Sequence, residues 1–212
     1  GAKRFPNKPL EKINKVPMIV HVLNRAKESK IGEVFVATPD TEIINLVKKN
    51  GGTAILTKEN HLSGSDRIHE VYEKELKNKV DIIINLQGDM PNIKPETIIK
   101  LKKLMENNKC DIGTLASNIE NKEDILKKNI VKVSTKQKLN NDNFLVAEDF
   151  FRIKEDLNYD NIYHHCGIYS FTNDAITRYV SLSRSKLEIK RNLEQMRAIE
   201  NKMLIKVGLS NS

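Results

Sequence analysis

The apolar run VDIIINLQGDMP at positions 80–91 ends in a glutamine, a glycine and an aspartate, with a proline just beyond. A short run rich in β-branched residues and stopped by Gly and Pro reads as a buried parallel strand. Asp89 then falls at the carboxyl end of that strand, where open α/β sheets place their ligands. A carboxylate there can hold a hard cation such as Mg²⁺ against substrate phosphates. Asp89 is therefore the candidate metal ligand, with Gln87 beside it.

Three other polar clusters could do chemistry. In RFPNKPL at 4–10, two prolines stiffen a loop that carries Arg4 and Lys8. Such a pair suits a polyphosphate, Arg as a planar fork and Lys as a point charge. In HLSGSDR at 61–67, Ser63, Gly64, Ser65, Asp66 and Arg67 meet a predicted helix start, a natural anion or ribose site. The last cluster joins HHCGIY at 164–169 with LEQMR at 193–197. Adjacent histidines point to opposite sides of a strand and no third ligand is spaced to join them, which disfavours zinc. Each cluster also has a plainer reading: a basic terminus, a helix cap, a turn that holds an aspartate, part-buried surface residues. No Walker A loop, G-x-G-x-x-G, G-x-S-x-G or H-E-x-x-H is present. Classical NTPases, dinucleotide-dependent dehydrogenases, serine hydrolases and zinc proteases thus lack support.

The elements that must position these residues alternate. Strands are predicted at 34–38, 53–56, 80–86, 112–116, 131–134, 167–171 and 204–207. Helices are predicted at 41–50 (closed by Gly51 and Gly52), 65–76 with Ser65 or Asp66 as cap, 94–107, 174–181 and 186–201. Leu193, Met196 and Ile199 read as core-facing in the last of these. This βα alternation implies an α/β fold with a mixed, mostly parallel sheet flanked by helices. The chain, 212 residues, suits a single domain over 1–212. A polar, Asn- and Asp-rich stretch at 136–161, broken by 144–146 and 150–153, reads as a flap or insertion.

A net charge of +8 favours anionic partners: nucleic acid, a nucleoside triphosphate or an acidic sugar. The lysines are spread over helix faces, Trp is absent and aromatics make up 5%. No stacking platform for single strands results, and no nucleic-acid partner is expected. No apolar run is long enough to cross a bilayer, and the first residues lack a signal-peptide core. Cys110 and Cys166 stand far apart, and read as reduced thiols in a cytoplasmic protein.

In order, these clusters resemble the sugar-acid cytidylyltransferases, and among them the 3-deoxy-manno-octulosonate (Kdo) cytidylyltransferase, or CMP-Kdo synthetase, family. RFPNKPL resembles R-L-P-G-K-P-L, and 17–20 its K-P-M-I continuation. VATPD at 36–40 resembles V-A-T-D-D, and TKENHLSGSDR at 57–67 resembles T-x-x-x-H-x-S-G-T-D-R. Residues 85–91 resemble N-x-Q-G-D-E-P, 131–133 V-K-V, 165–171 H-I-G-I-Y-x-Y, and 193–200 L-E-Q-L-R-x-L-E. The match runs from Arg4 to about Val207. It implies a nucleotidyltransferase (nucleotide-diphospho-sugar transferase-like) fold and CMP-Kdo synthesis from CTP and Kdo for lipopolysaccharide. Arg4, Lys8 and Asp89 would be catalytic, with Arg4, Lys8 and Mg²⁺ on the triphosphate. Ser63, Gly64, Ser65, Asp66, Arg67 and Gln87 would bind the nucleotide. Gln87, His165, Tyr169, Glu194 and Gln195 would hold the sugar. A cytoplasmic homodimer is implied as well.

Several positions depart from the pattern. Pro39 replaces an Asp, Ser65 a Thr, Met90 a Glu and Cys166 an Ile. Phe150-Phe151-Arg152 is the nearest counterpart of the family's Y-F-S-R, so Arg152 is its sugar-binding candidate. The family's upstream I-I-P-A-R loop and downstream G-V-D-T segment, with a second metal-ligand Asp, have no counterpart here. The expectation is either a longer natural chain or a site that has lost part of its machinery. The alternatives are a cytidylyltransferase for another acidic sugar, such as a sialic acid, and a non-catalytic homologue.

Overall fold

A computed structural model of the chain describes residues 8–153 and 160–210, the side chain of Lys122 apart. Arg4 lies outside the described residues, as do 154–159 of the expected flap. The chain groups into two compact units, Gly1–Asp81 with Asn85–Lys100, and Ile82–Ile84 with Leu101–Ser212.

The first unit opens with a 3-10 turn, Lys8–Leu10, and a short hairpin of β1 (Lys12–Ile13) and β2 (Val16–Pro17). Helix α1 (Met18–Glu28), β3 (Phe35–Thr38), α2 (Thr41–Lys49) and β4 (Thr53–Leu56) follow. β3 and β4 pair in parallel, Phe35 opposite Thr53. α2 starts because the Asp40 carboxylate accepts from the Glu42 and Ile43 N–H groups. It ends where Gly51 turns left-handed at φ +70 and Gly52 N–H returns to Val47 O, the paired closure that glycine permits. Ile19, Val20, Leu23, Ile43 and Val47 form the core between α1 and α2. Each such aliphatic side chain contributes about 1.5–3 kcal/mol on burial.

Helix α3 (Gly64–Val71) runs into a π-helical turn, Tyr72–Leu76. Its cap is Ser63, in place of the expected Ser65 or Asp66. Ser63 has extended backbone and its Oγ accepts from Asp66 N–H, so the helix begins one residue earlier. Strand β5 (Ile82–Asn85) is followed by a turn through Gly88 and Asp89, then by α4 (Pro95–Asn107).

The second unit is built on a mixed sheet. Its further strands are β6 (Ile112–Ser117), β7 (Lys132–Ser134), β8 (Phe144–Val146), β9 (Asp149–Phe151), β10 (Ile162–Thr172) and, last in the chain, β11 (Ile205–Leu209). The order is β8-β11-β6-β10-β7-β9, with β5 also paired to β10. β6 and β11 are parallel; β6–β10, β7–β10, β8–β11 and β7–β9 are antiparallel. The expected parallel bias therefore gives way in this sheet. β10, a strand of 11 residues, runs against both β6 and β7, and the edge strands β8 and β9 run against β11 and β7. The stretch expected as a flap supplies β8 and β9 at the two ends of that order.

Helices α5 (Asn173–Ser181), α6 (Lys186–Arg191) and α7 (Gln195–Glu200) complete the unit. The single helix expected over 186–201 is broken in two. Asn192 adopts the left-handed conformation (φ 52), which Asn tolerates, and ends α6. The break sets Glu194 and Gln195 at the start of a new helix. Among the described residues no helix is long and apolar enough to cross a membrane.

Candidate active site

In the first unit, Lys8 Nζ lies 2.8 Å from Asp89 Oδ2, with the two side chains 40% and 49% exposed. So open a pair contributes at most about 1 kcal/mol to stability. Its use is positional: it holds a carboxylate and an ammonium together where a ligand can reach both. Arg4, the third member expected here, lies outside the described residues.

The start of α3 and the end of β5 meet in the same unit. Ser63 Oγ donates to Asp66 Oδ2 at 2.6 Å while accepting from Asp66 N–H, so Asp66 and Ser63 brace one another. Ser65 is buried. A Cβ added at Gly64 would stand 3.5 Å from Gln87 Nε2 and 3.6 Å from Asn85 Nδ2. The bare glycine thus keeps a methyl group from packing against two side-chain amides. Gln87 Nε2 approaches Asn85 Oδ1 at 3.5 Å, the long end of a hydrogen bond. Asn85 is 3% exposed, and its Nδ2 has no hydrogen-bond partner among the described residues.

Arg67 faces its own loop. Its guanidinium donates to Thr57 Oγ1, to Lys58 O at 2.8 Å and to Glu59 O at 3.2 Å. Glu70 performs the same task from the next turn of α3, accepting from His61 Nε2 at 2.5 Å, Lys58 N–H at 3.0 Å and Lys74 Nζ at 2.6 Å. Burial pushes the Glu70 carboxyl up, but the hydrogen bonds from Lys74, Lys58 and His61 outweigh it and bring it down to about 2. Residues 57–62 are thereby strapped to α3 by one cation and one anion.

In the second unit, His165 and Tyr169 lie on β10 with ring centroids 5.2 Å apart, and Phe150 meets His165 edge-on. Thr114 Oγ1 donates to Ile168 O at 2.6 Å and also lies 2.8 Å from His165 Nε2. The hydroxyl has one hydrogen, already directed at the carbonyl, so His165 Nε2–H must donate to it. Burial, helped by the charge of His164, pushes the His165 imidazole down to about 3, and it is neutral at physiological pH. Its Nδ1 is left as an acceptor. Burial, with the nearby Glu194 charge, raises the Tyr169 phenol well above its usual range, so it remains a donor.

Glu194 and the buried Gln195 start α7, and a buried strut holds them. Arg197 donates through Nε and Nη2 to the two carboxylate oxygens of Glu188, at 2.9 and 2.8 Å, and lies over the Tyr179 ring, 4.4 Å to the centroid. Tyr179 Oη donates to Glu194 O at 2.9 Å. Burial pushes the Glu188 carboxyl up, while Arg197 and Arg184 overcome that and carry it below its ordinary value. Arg152, the sugar candidate of this unit, places Nη1 3.3 Å from Lys128 O and 3.4 Å from Asn129 O. Beneath it, the buried Lys132 ammonium donates to Lys127 O, Ile130 O and Arg152 O. Burial, then Arg152, lowers the Lys132 pKa.

Sequence reasoning missed Asn85, Glu70, Thr114, Lys132 and Glu188 as parts of this machinery. Two of them carried a local signal: Asn85, an amide closing a run of isoleucines, and Glu188, which ends an S-x-x-E capping box begun by Ser185.

The model of the family described as cytidylyltransferase matches residues 1–205 of this chain. The chain belongs to the cytidylyltransferase family. A 3-deoxy-manno-octulosonate cytidylyltransferase of Rhodopseudomonas palustris is 42% identical over 213 residues, covering 100% of this chain and 86% of the relative. One from Thermodesulfovibrio yellowstonii is 43% identical over 220 residues, covering 99% and 86%. Among solved structures, a CMP:2-keto-3-deoxy-manno-octonic acid synthetase complexed with CTP superposes with a TM-score of 0.87 at 32% identity, covering 99% of this chain and 86% of that one. A 4-diphosphocytidyl-2C-methyl-D-erythritol synthase from Anaerococcus prevotii shares the fold alone, with a TM-score of 0.62 at 12% identity, covering 96% of this chain and 84% of that one. The fold is thus that of the nucleotidyltransferases, a mixed α/β sheet flanked by helices. The cytidylyltransferase family supplies the activity class: this is an enzyme.

Proposed function

We propose that this cytidylyltransferase moves the cytidylyl group of CTP onto 3-deoxy-manno-octulosonate, releasing pyrophosphate and CMP-Kdo for lipopolysaccharide synthesis. The observation that carries the reading is identity of 42% along the whole chain to a relative of that name. The clusters support it residue by residue.

The first unit carries the nucleotide groups. Lys8 presents its ammonium to the triphosphate, and Arg4 is assigned to the same phosphates. Ser63, Gly64, Ser65, Asp66 and Gln87 border the cytidine, while Arg67 and Glu70 fix the loop that carries them. The second unit carries the sugar groups. Neutral His165 offers Nδ1 as an acceptor and Tyr169 its phenolic hydrogen, a pair suited to hydroxyls. Glu194 and Gln195 add an acceptor carboxylate and an amide, and Arg152 is assigned to the sugar as well, as is Gln87 of the first unit.

Asp89 fits a divalent ion as one ligand among several. It is a hard oxygen donor, exposed, in the turn that follows β5, and no cluster of three His, Cys, Asp or Glu groups surrounds it among the described residues. Substrate phosphates and water would complete six-coordination around Mg²⁺. Bound there, the ion would neutralise phosphate charge and acidify the sugar hydroxyl. In the transfer, the anomeric hydroxyl of Kdo attacks the α-phosphorus, the bond to the pyrophosphate oxygen breaks, and the hydroxyl proton leaves to solvent or phosphate. The residues contribute position and charge neutralisation, which suffice for phosphoryl-type chemistry. The 212 residues act as one catalytic domain, in a cytoplasmic homodimer.

The test is pyrophosphate release from CTP and Mg²⁺ with a panel of sugar acids. Kdo is expected to turn over. Turnover of a sialic acid with none of Kdo would refute the assignment. Light scattering after gel filtration checks the dimer.

A further inference from the structure

We propose that Asn85 is a direct contact to the nucleoside half of the triphosphate substrate, its Nδ2 donating to an uncharged acceptor on the base or ribose. The proposal rests on the reading that CTP binds here, and names a residue that reading leaves idle.

Three observations converge on it. Asn85 is 3% exposed, yet its Nδ2 has no hydrogen-bond partner among the described residues. Buried polar groups are almost always paired, and an orphan in a folded protein needs an explanation, of which an arriving ligand is one. The amide is also oriented: Gln87 Nε2 approaches Oδ1, which leaves Nδ2 as the end that faces away from Gln87 Nε2. Finally, Nδ2 is directed at the one place on α3 that lacks a side chain, 3.6 Å from where a Gly64 Cβ would stand.

Gly64 has no conformational need to be glycine, since it lies in a helix and its backbone is outside the left-handed region. A Cβ there would also meet only ordinary contacts. Alanine is the better helix former. What glycine preserves is a methyl-sized volume beside Asn85, which a ligand atom can take instead. A neutral donor in a dry site suits the carbonyl, ring nitrogen or hydroxyl of a nucleoside. Phosphate oxygens find their cations at Lys8 instead.

The test is calorimetric titration of CTP, cytidine and inorganic tripolyphosphate, each with Mg²⁺, into wild-type protein and Asn85→Ala, Asn85→Asp and Gly64→Ala variants, with thermal unfolding alongside. Asn85→Ala should weaken CTP and cytidine about tenfold and leave tripolyphosphate unchanged. Asn85→Asp should be at least as damaging, because it sets an anionic oxygen against an acceptor. Gly64→Ala should melt at or above the wild-type temperature and still bind CTP more weakly, which keeps the test decisive if an Asn85 variant folds poorly. CTP binding unchanged in Asn85→Ala, or tripolyphosphate lost in the same proportion as CTP, would overturn this contact alone. Wild-type protein that binds no CTP would overturn the cytidylyl-transfer reading and the contact with it.

Discussion

Glu188→Ala should be among the most damaging single changes in the chain. Glu188 and Arg197 side chains are each 2% exposed, and the carboxylate accepts two hydrogen bonds from Arg197, one from Arg184 and one from Ser185 N–H. Truncation removes the carboxylate that faces Arg197 Nε and Nη2 in the buried interior. Breaking such a pair from one side costs about 3–5 kcal/mol. That shifts the unfolding equilibrium by a factor between about 10² and several thousand, and lowers the melting temperature by roughly 10 °C for a chain this long. Urea titration and calorimetry measure both. Glu188→Leu with Arg197→Met should recover most of the loss, because it removes both charges and restores apolar volume. Glu188→Gln adds a pH readout. The folded carboxyl lies below its ordinary value, so its contribution is complete above that value and lost as pH falls through the folded one. The gap between wild type and Glu188→Gln should therefore narrow on acidification. Since the strut carries Glu194 and Gln195, KM for the sugar should rise in refolded variants. A cost below about 1 kcal/mol for Glu188→Ala would refute the reasoning, because an exposed pair would do as little.

Asp89→Asn should reduce pyrophosphate release by at least about a hundredfold, while its urea midpoint stays near wild type because the pair with Lys8 is open to solvent. Glu70→Gln should lose about 1.5–3 kcal/mol at pH 7. The folded carboxyl sits at about 2 against 4.5, so that stability is present above about 4.5 and disappears as pH falls through about 2, which urea titrations at stepped pH will follow. Thr114→Val should cost about 1–3 kcal/mol by orphaning His165 Nε2–H and Ile168 O, and nitrogen NMR of the imidazole should report the altered tautomer. Gly167→Ala should cost about 1–2 kcal/mol for its left-handed backbone, although open space surrounds the position.

Features written in neighbouring residues were legible in the sequence. Asp40 before a periodic segment and Gly51-Gly52 after it bound α2, and the order of the motifs identified the family. The break at Asn192 was not legible, because Leu193, Met196 and Ile199 fit one continuous helix as well as two. Nothing local distinguishes an Asn that turns left-handed from one that sits on a helix surface. The sugar-side partners were hidden for a different reason. Thr114 and His165 are 51 positions apart, and Arg197 meets Glu188 only because the chain turns between them. Met90 replaces an acidic family position, and nothing in the structure explains it.

The irregularity in β10 has a consequence for how this chain can vary. His165 lies opposite Ala116 and Tyr169 opposite Thr114, so three residues on one strand face a single residue on the other. The surplus is even, and alternation brings both rings back to the same side of the sheet. Loss or gain of one residue at 166–168 would turn one of the two away. Natural variants should therefore change length there in pairs or not at all.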